Sequence, residues 1–205
     1  MFLVAVVALS LITVPLAGGS LSRISDLRLR WTPVIFAALA IQVVIISVAP
    51  GGEHWLHAVL HLVSYGLAAA FLWVNRREPG IPMVAVGAML NAIAIVANNG
   101  VMPASAGALR AAGEVPTAAG FANSTGLAHP RLLVLGDIFA IPKSWPLHNV
   151  FSIGDVCIAI GAAIVIHSAS GSRLGRRRSH GHSARTPRDQ PPDAGTRNVV
   201  RGSPS

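Results

Sequence analysis

Charge is what this sequence has least of. Only 12% of its 205 residues are charged, against roughly 25% in a typical soluble domain, while 52% are apolar and the mean hydropathy is +0.58. Too few charged groups remain to wet a globular surface, which argues against an ordinary cytoplasmic enzyme and points to the bilayer. One cysteine, Cys157, excludes a disulfide framework within a single chain and any zinc site built on cysteine. That thiol also falls in an apolar run, where a reactive thiolate is disfavoured. No P-loop, no dinucleotide glycine fingerprint, no H-E-x-x-H and no G-x-S-x-G occurs, so the enzymes built on those motifs drop out.

The net charge of +8 is concentrated at one end. Residues 168–205 hold eight Arg against Asp189 and Asp193, and the rest of the chain is nearly neutral. This tail, rich in Arg, Ser, Pro and Gly, has the composition of a disordered segment. It lacks the folded basic surface and interleaved aromatics of a nucleic-acid binder, so no nucleic-acid partner is expected. Arg176-Arg177-Arg178 would instead attract anionic headgroups at roughly 1 kcal/mol per residue.

Five apolar stretches free of Lys and Arg run through residues 2–17, 32–49, 55–74, 82–97 and 150–167. Each lies near the lower half of the roughly 17–25 residues that cross hydrocarbon as a helix. The expected fold is therefore all-α, an integral membrane bundle of five transmembrane helices. A sixth apolar run, Leu132–Ile141, is closed by Pro130 and Pro142 and broken by Gly136-Asp137; its shortness predicts a re-entrant segment on the outer side. Counting cations orients the chain. Thirteen of the sixteen Lys and Arg lie between stretches one and two, between three and four, or in the tail, and only Arg110, Arg131 and Lys143 lie opposite. The richer set belongs inside, which puts the amino terminus outside and the carboxyl tail in the cytoplasm. Residues 2–17 lack a basic n-region, so they read as a retained anchor rather than a signal peptide. Trp31, Trp55, Trp73 and Trp145 fall near the expected boundaries, where amphipathic rings collect. Residues 98–130 read as an outer loop of Ala, Gly, Ser, Thr and Pro, and the sequon Asn123-Ser124-Thr125 within it is too short a pattern to carry weight.

With direction set, polar residues acquire depth at ~1.5 Å per residue. Gln42, His57, His61, Ser64, Tyr65, Asn91, Asn98, Asp137 and Asp155 all fall in the outer half or at its rim. Glu53, His57, His61 and Tyr65 recur at four-residue steps and share a helix face, as do Asn91 and Asn98, seven apart. Polar groups in hydrocarbon turn toward a bundle interior or a water-filled cavity, which predicts a polar vestibule open to the outside. Plainer roles stand beside this. Ser152-x-x-Asp155 fits a capping box, and Asn98-Asn99-Gly100 fits a helix stop. Gly136-Asp137 fits a turn, while Gln42, Asn91 and the His57/His61 pair fit interhelical hydrogen bonding. The histidine pair has the spacing of metal ligands, but no third ligand is fixed, and nothing calls for a metal or a cofactor.

Four motifs in order, His61-x-x-Ser64-Tyr65, Asn98-Asn99-Gly100-x-Met102-Pro103, Leu135-Gly136-Asp137 and Phe151-Ser152-Ile153-Gly154-Asp155, resemble those of a family of uncharacterised bacterial multi-pass membrane proteins known only as a domain of unknown function. The resemblance spans roughly residues 1–167. The family pattern reads Asn-Gly-Gly-x-Met-Pro; Asn99 replaces the first Gly here and tolerates the same positive φ. The resemblance implies a bacterial plasma-membrane location and no activity. Three functions are compatible: handling of a small polar solute or ion through the vestibule, a non-catalytic accessory or scaffold subunit packed on a membrane-protein partner, or a membrane-embedded enzyme on an outer-leaflet substrate using Asp137 and Asp155. In each, the lipid bilayer is the principal partner.

Overall fold

Long apolar runs without internal charge, punctuated by Gly, Pro and Asn, wind into helices in the computed structural model, which describes residues 2–48, 54–114 and 129–175. The helices are α1 (Phe2–Leu16), α2 (Thr32–Val48), α3 (His54–Val74), α4 (Ile81–Ala97), α5 (Ala106–Ala112) and α6 (Ile153–Ala169). Two 3-10 turns, Leu21–Asp26 and Leu133–Leu135, and two short strands, β1 (Phe139–Ile141) and β2 (Asn149–Phe151), complete the described elements. The strands form an antiparallel hairpin in which Ala140 faces Val150.

The expected five-span bundle is overturned. Among the described residues no helix is long and apolar enough to cross a membrane. Helices α1, α2, α4 and α6 contain 15 to 17 residues, a length of about 23 to 26 Å, short of the ~30 Å hydrocarbon layer. The longest, α3, has 21 residues but carries His54, His57, His61, Ser64 and Tyr65 within its first 12. The re-entrant segment is also corrected, and the fold is not purely helical. Leu132–Ile141 makes one 3-10 turn and then a strand, because Asp137 runs extended beside Ala104: Asp137 N donates to Pro103 O at 2.8 Å and Ser105 N donates to Asp137 O at 3.0 Å. Nor is the whole connector loop-like. Ser105 caps α5 by accepting from Ala108 N, and Gly113 ends it with φ of 76°. Residues 115–128, including the sequon, lie outside the described residues, as does the tail from residue 176.

The layer is organised around α4 and α6. Gly80, Val84, Gly87 and Asn91 recur on α4 or at its start at four- and three-residue steps, facing Val165, Gly161, Ile158 and Gly154 in reverse order on α6. A Cβ on Gly87 would strike Gly154 O and lie 2.8 Å from the Ile158 side chain; one on Gly161 would lie 2.7 Å from Val84 N. Only hydrogen at these positions lets two backbones approach so closely, and the approach gives dispersion contact and shape specificity. Helix α1 lies along α6, and α2 packs on α3. At one end, α5 and the hairpin bury a small core of Ala104, Ala108, Leu109, Ala112 and Val150. Phe151 stacks on Phe2 with centroids 4.2 Å apart, which ties the start of α1 to this cap.

Elsewhere Val14, Phe71, Ile81 and Ala94 are buried, but many large apolar side chains face outward. Leu16, Phe36, Leu62, Met89 and Val96 are each more than half exposed, whereas Ser64, Asn75, Asn98, Ser152, His167, Ser170 and Ser172 are buried. Gly154→Ala should destabilise the protein by ~1–3 kcal/mol, because its methyl would land on the Asn91 amide. Gly66→Ala, where a Cβ meets nothing within 4 Å, should be neutral or stabilising by about 0.5–1 kcal/mol. Denaturant unfolding of the two variants compares them directly.

Candidate functional site

The polar residues singled out by depth separate into distinct arrangements. The tightest joins α4 to the start of α6. Ser152 precedes α6 in extended conformation, and its hydroxyl oxygen accepts from Asp155 N at 2.9 Å. The Asp155 carboxylate returns the bond, Oδ2 accepting from Ser152 N at 3.0 Å. This is a complete capping box, in which two orphan helix donors are satisfied reciprocally. Asn91 then closes a second circuit from the facing helix. Its Nδ2 donates to Asp155 Oδ1 at 2.9 Å, and its Oδ1 accepts from the Ser152 hydroxyl at 2.8 Å. Gly154 makes room for that amide. The carboxylate lies where the positive end of α6 favours it. Asn91 and Asp155 are thus brought together, as partners of one another.

A second arrangement lies between α2 and α3. Gln42 Nε2 donates to Ser64 Oγ at 2.7 Å, and Ser64 is buried. Gln42 also bonds the Tyr65 hydroxyl; burial pushes the Tyr65 phenol above its ordinary value, and the Gln42 bond draws it part of the way back. His57 and His61 belong to α3, but their side chains lie outside the described residues, as does Glu53.

Asn98 and Asp137 serve the cap. Asn98 ends α4, with Asn99 and Gly100 following at φ of 57° and 91°. Its side chain donates to Ala94 O at 2.8 Å and to Arg131 O at 2.7 Å, and accepts from Arg131 N at 2.8 Å. Asp137 is buried beside the Pro103–Ser105 backbone. Gly136 meets Pro103 O so closely that a Cβ would clash. Met102-Pro103 and Gly136-Asp137, remote in sequence, are therefore one packed unit.

Sequence reasoning missed two buried groups. Asn75, just after α3, repeats the Asn98 geometry: it donates to Phe71 O at 2.9 Å and Arg30 O at 2.8 Å and accepts from Arg30 N at 2.8 Å. The available signal was the parallel ending of two apolar runs in Asn. His167 is buried between Ser172 Oγ, 2.8 Å from Nδ1, and Thr13 Oγ1, 3.3 Å from Nε2. It joins the last turn of α6 to α1. No group of three or more His, Cys, Asp or Glu positioned to hold a metal occurs among the described residues.

One comparison bears on these motifs. A family model described as "Family of unknown function (DUF5317)" matches residues 26–167. The chain belongs to that family. The matched span includes the Asn98, Met102-Pro103, Gly136-Asp137 and Ser152-x-x-Asp155 segments, so the family's reach coincides with the cap and the α4–α6 seam. No curated protein and no solved structure matches the chain.

Chemically, the Asn91–Ser152–Asp155 circuit is a fastener. Removing the amide leaves a hydroxyl and a carboxylate with fewer partners, at a cost of ~1–3 kcal/mol. A double-mutant cycle of Asn91→Ala and Asp155→Ala should return a coupling of about 0.5–3 kcal/mol in unfolding free energy. Additive losses would mean that the two side chains do not act on one another.

Proposed function

We propose that this protein is a non-catalytic accessory subunit of the bacterial plasma membrane, with its outward apolar flanks covered by lipid and by a membrane-protein partner. The observation that carries this reading is an inversion of the usual polarity. Many bulky apolar side chains of α1 to α4 face outward, while polar side chains between the helices bond one another or the backbone. Exposed apolar area on this scale marks an interaction surface. The intrahelical bonds of Ser10 to Val6 O and Thr13 to Leu9 O fit an environment where water does not compete for side-chain hydroxyls.

Solute or ion handling has less support. That role needs polar atoms turned toward a passing ligand, and Asn91, Ser152 and Asp155 are engaged with each other. An acid–base pair of Asp137 and Asp155 has less still, since Asp155 is a capping residue and Asp137 lies against the Pro103–Ser105 segment.

Extraction of the full chain from bacterial membranes in mild detergent tests the reading. A membrane protein should co-purify in constant ratio, and Leu62→Arg or Val96→Arg on the exposed flanks should reduce its recovery at least tenfold. His61→Leu should leave recovery unchanged. If Asp155→Asn abolishes uptake of a solute while the protein still accumulates with its partner, the accessory reading fails.

A further inference from the structure

The end of the molecule opposite the cap carries a depression of about 470 Å³ that no motif foretold, lined by Arg23, Asp26, Leu27, Arg28, Glu78 and Ala169. Residues 21–30, the turn that holds Glu78 and the end of α6 build it, tied together by hydrogen bonds. The 3-10 turn Leu21–Asp26 is tethered to the end of α6 by Ser20 N donating to Ser170 O at 3.0 Å. The extended residues leading to α2 are tied down by the two bonds between Asn75 and the Arg30 backbone. Glu78 sits in the turn after α3, its N–H donating to Asn75 O at 2.9 Å. Arg23 crosses Gly171 so closely that a Cβ there would come within 2.6 Å of Nη1. Asn75 therefore positions two walls at once.

Charge on this rim is balanced and distributed. Two arginines and two acidic residues line one opening, and no ion pair joins them among the described residues. A simple anion would meet Asp26 and Glu78, and a simple cation would meet Arg23 and Arg28. A ligand carrying both signs a few bonds apart satisfies all four. Guanidinium groups pair with phosphate through two parallel hydrogen bonds, and a primary ammonium supplies three donors to carboxylates. Ala169, at the carbonyl end of α6, adds the negative end of a helix dipole to the lining. Trp31 and Trp73, both more than half exposed, stand near the two Asn75-held segments, and Arg76 lies 4.3 Å over the Trp73 ring. Exposed tryptophans of this kind favour the boundary between acyl chains and headgroups.

We propose that this depression binds a phosphate ester bearing a primary ammonium, with phosphate on Arg23 and Arg28 and ammonium on Asp26 and Glu78. A phosphoethanolamine lipid headgroup and its free soluble ester share this chemistry. The site does not require the accessory role above, because a soluble probe reaches it without a partner or a bilayer.

Calorimetric titration of the detergent-solubilised full chain tests the proposal with four probes: short-chain phosphatidylethanolamine, short-chain phosphatidylglycerol, O-phosphoethanolamine and inorganic phosphate. The ammonium-bearing probes should bind at least tenfold more tightly than phosphatidylglycerol or inorganic phosphate. Glu78→Gln should erase that preference, and Arg28→Gln should weaken both ammonium-bearing probes at least tenfold, with unfolding midpoints unchanged because both residues are exposed. Equal binding of O-phosphoethanolamine and the short-chain lipid would assign the soluble ester as sufficient; binding of the lipid alone would assign the membrane headgroup. Equal affinity for the ethanolamine and glycerol lipids with no binding of O-phosphoethanolamine, or variants that bind as tightly as the parent, would overturn it.

Discussion

The near approach of α4 and α6 is the constraint on which the rest of the structure depends. Two helices can share a seam this narrow only if side chains vanish where the backbones meet, and Gly80, Gly87, Gly154 and Gly161 provide that at seven-residue intervals on each helix. Their mutual placement then determines where the Asn91 amide arrives. Because residue 154 has no Cβ, the amide reaches past it to the capping box of the neighbouring helix. One hydrogen-bond circuit thus secures the register of the pair, and α1 and the cap are built against a seam already fixed.

The same economy governs the helix ends. An apolar helix terminates with carbonyl groups that need partners, and a polar side chain among apolar neighbours needs partners too. Asn75 and Asn98 answer both demands. Each bonds back to the carbonyl four residues earlier and pairs with both backbone groups of a distant arginine, Arg30 or Arg131. The residues that follow those arginines, Trp31 and Leu132, take positive φ values of 60° and 50° despite their bulk. Such backbone is disfavoured for a residue with a Cβ, and it persists here beside a two-point amide anchor. The anchors fix Arg30 and Arg131 against the helix ends, one at each end of the layer.

Much of this was readable from the residues. Apolar runs bounded by Gly, Pro and Asn mark helices; Ser152-x-x-Asp155 marks a cap; Asn98-Asn99-Gly100 marks a stop; each rests on local chemistry that neighbours in sequence suffice to specify. What was not readable is lateral. Depth along a helix says nothing about which helix lies opposite, so Asn91 and Gln42 could be assigned a layer but not a partner. The structure gives them different ones, Asp155 and Ser64. The run at 132–141 was misread for a related reason. Its composition suits a short membrane segment, but its fate is decided by the hairpin partner at 149–151 and by Pro103, more than thirty residues upstream. Asn75 ends its apolar run as Asn98 does, but its partner, the Arg30 backbone, lies 45 residues away and has no signature in sequence.

The span argument failed on length and polarity together. A run of apolar residues reports that a helix avoids water, not that it crosses a bilayer, and 15 to 17 residues fall short of the hydrocarbon thickness. Many large apolar side chains of the kind a soluble fold would bury are turned outward here. Burial of those side chains therefore adds little to cohesion between the helices. Close backbone contact and hydrogen bonds between buried polar groups join a few buried apolar side chains in holding the helices together, and those bonds gain strength where water is excluded. That division of labour explains why serines, asparagines and a histidine are buried in so apolar a chain, and why Gly87, Gly154 and Gly161 sit where the helices meet.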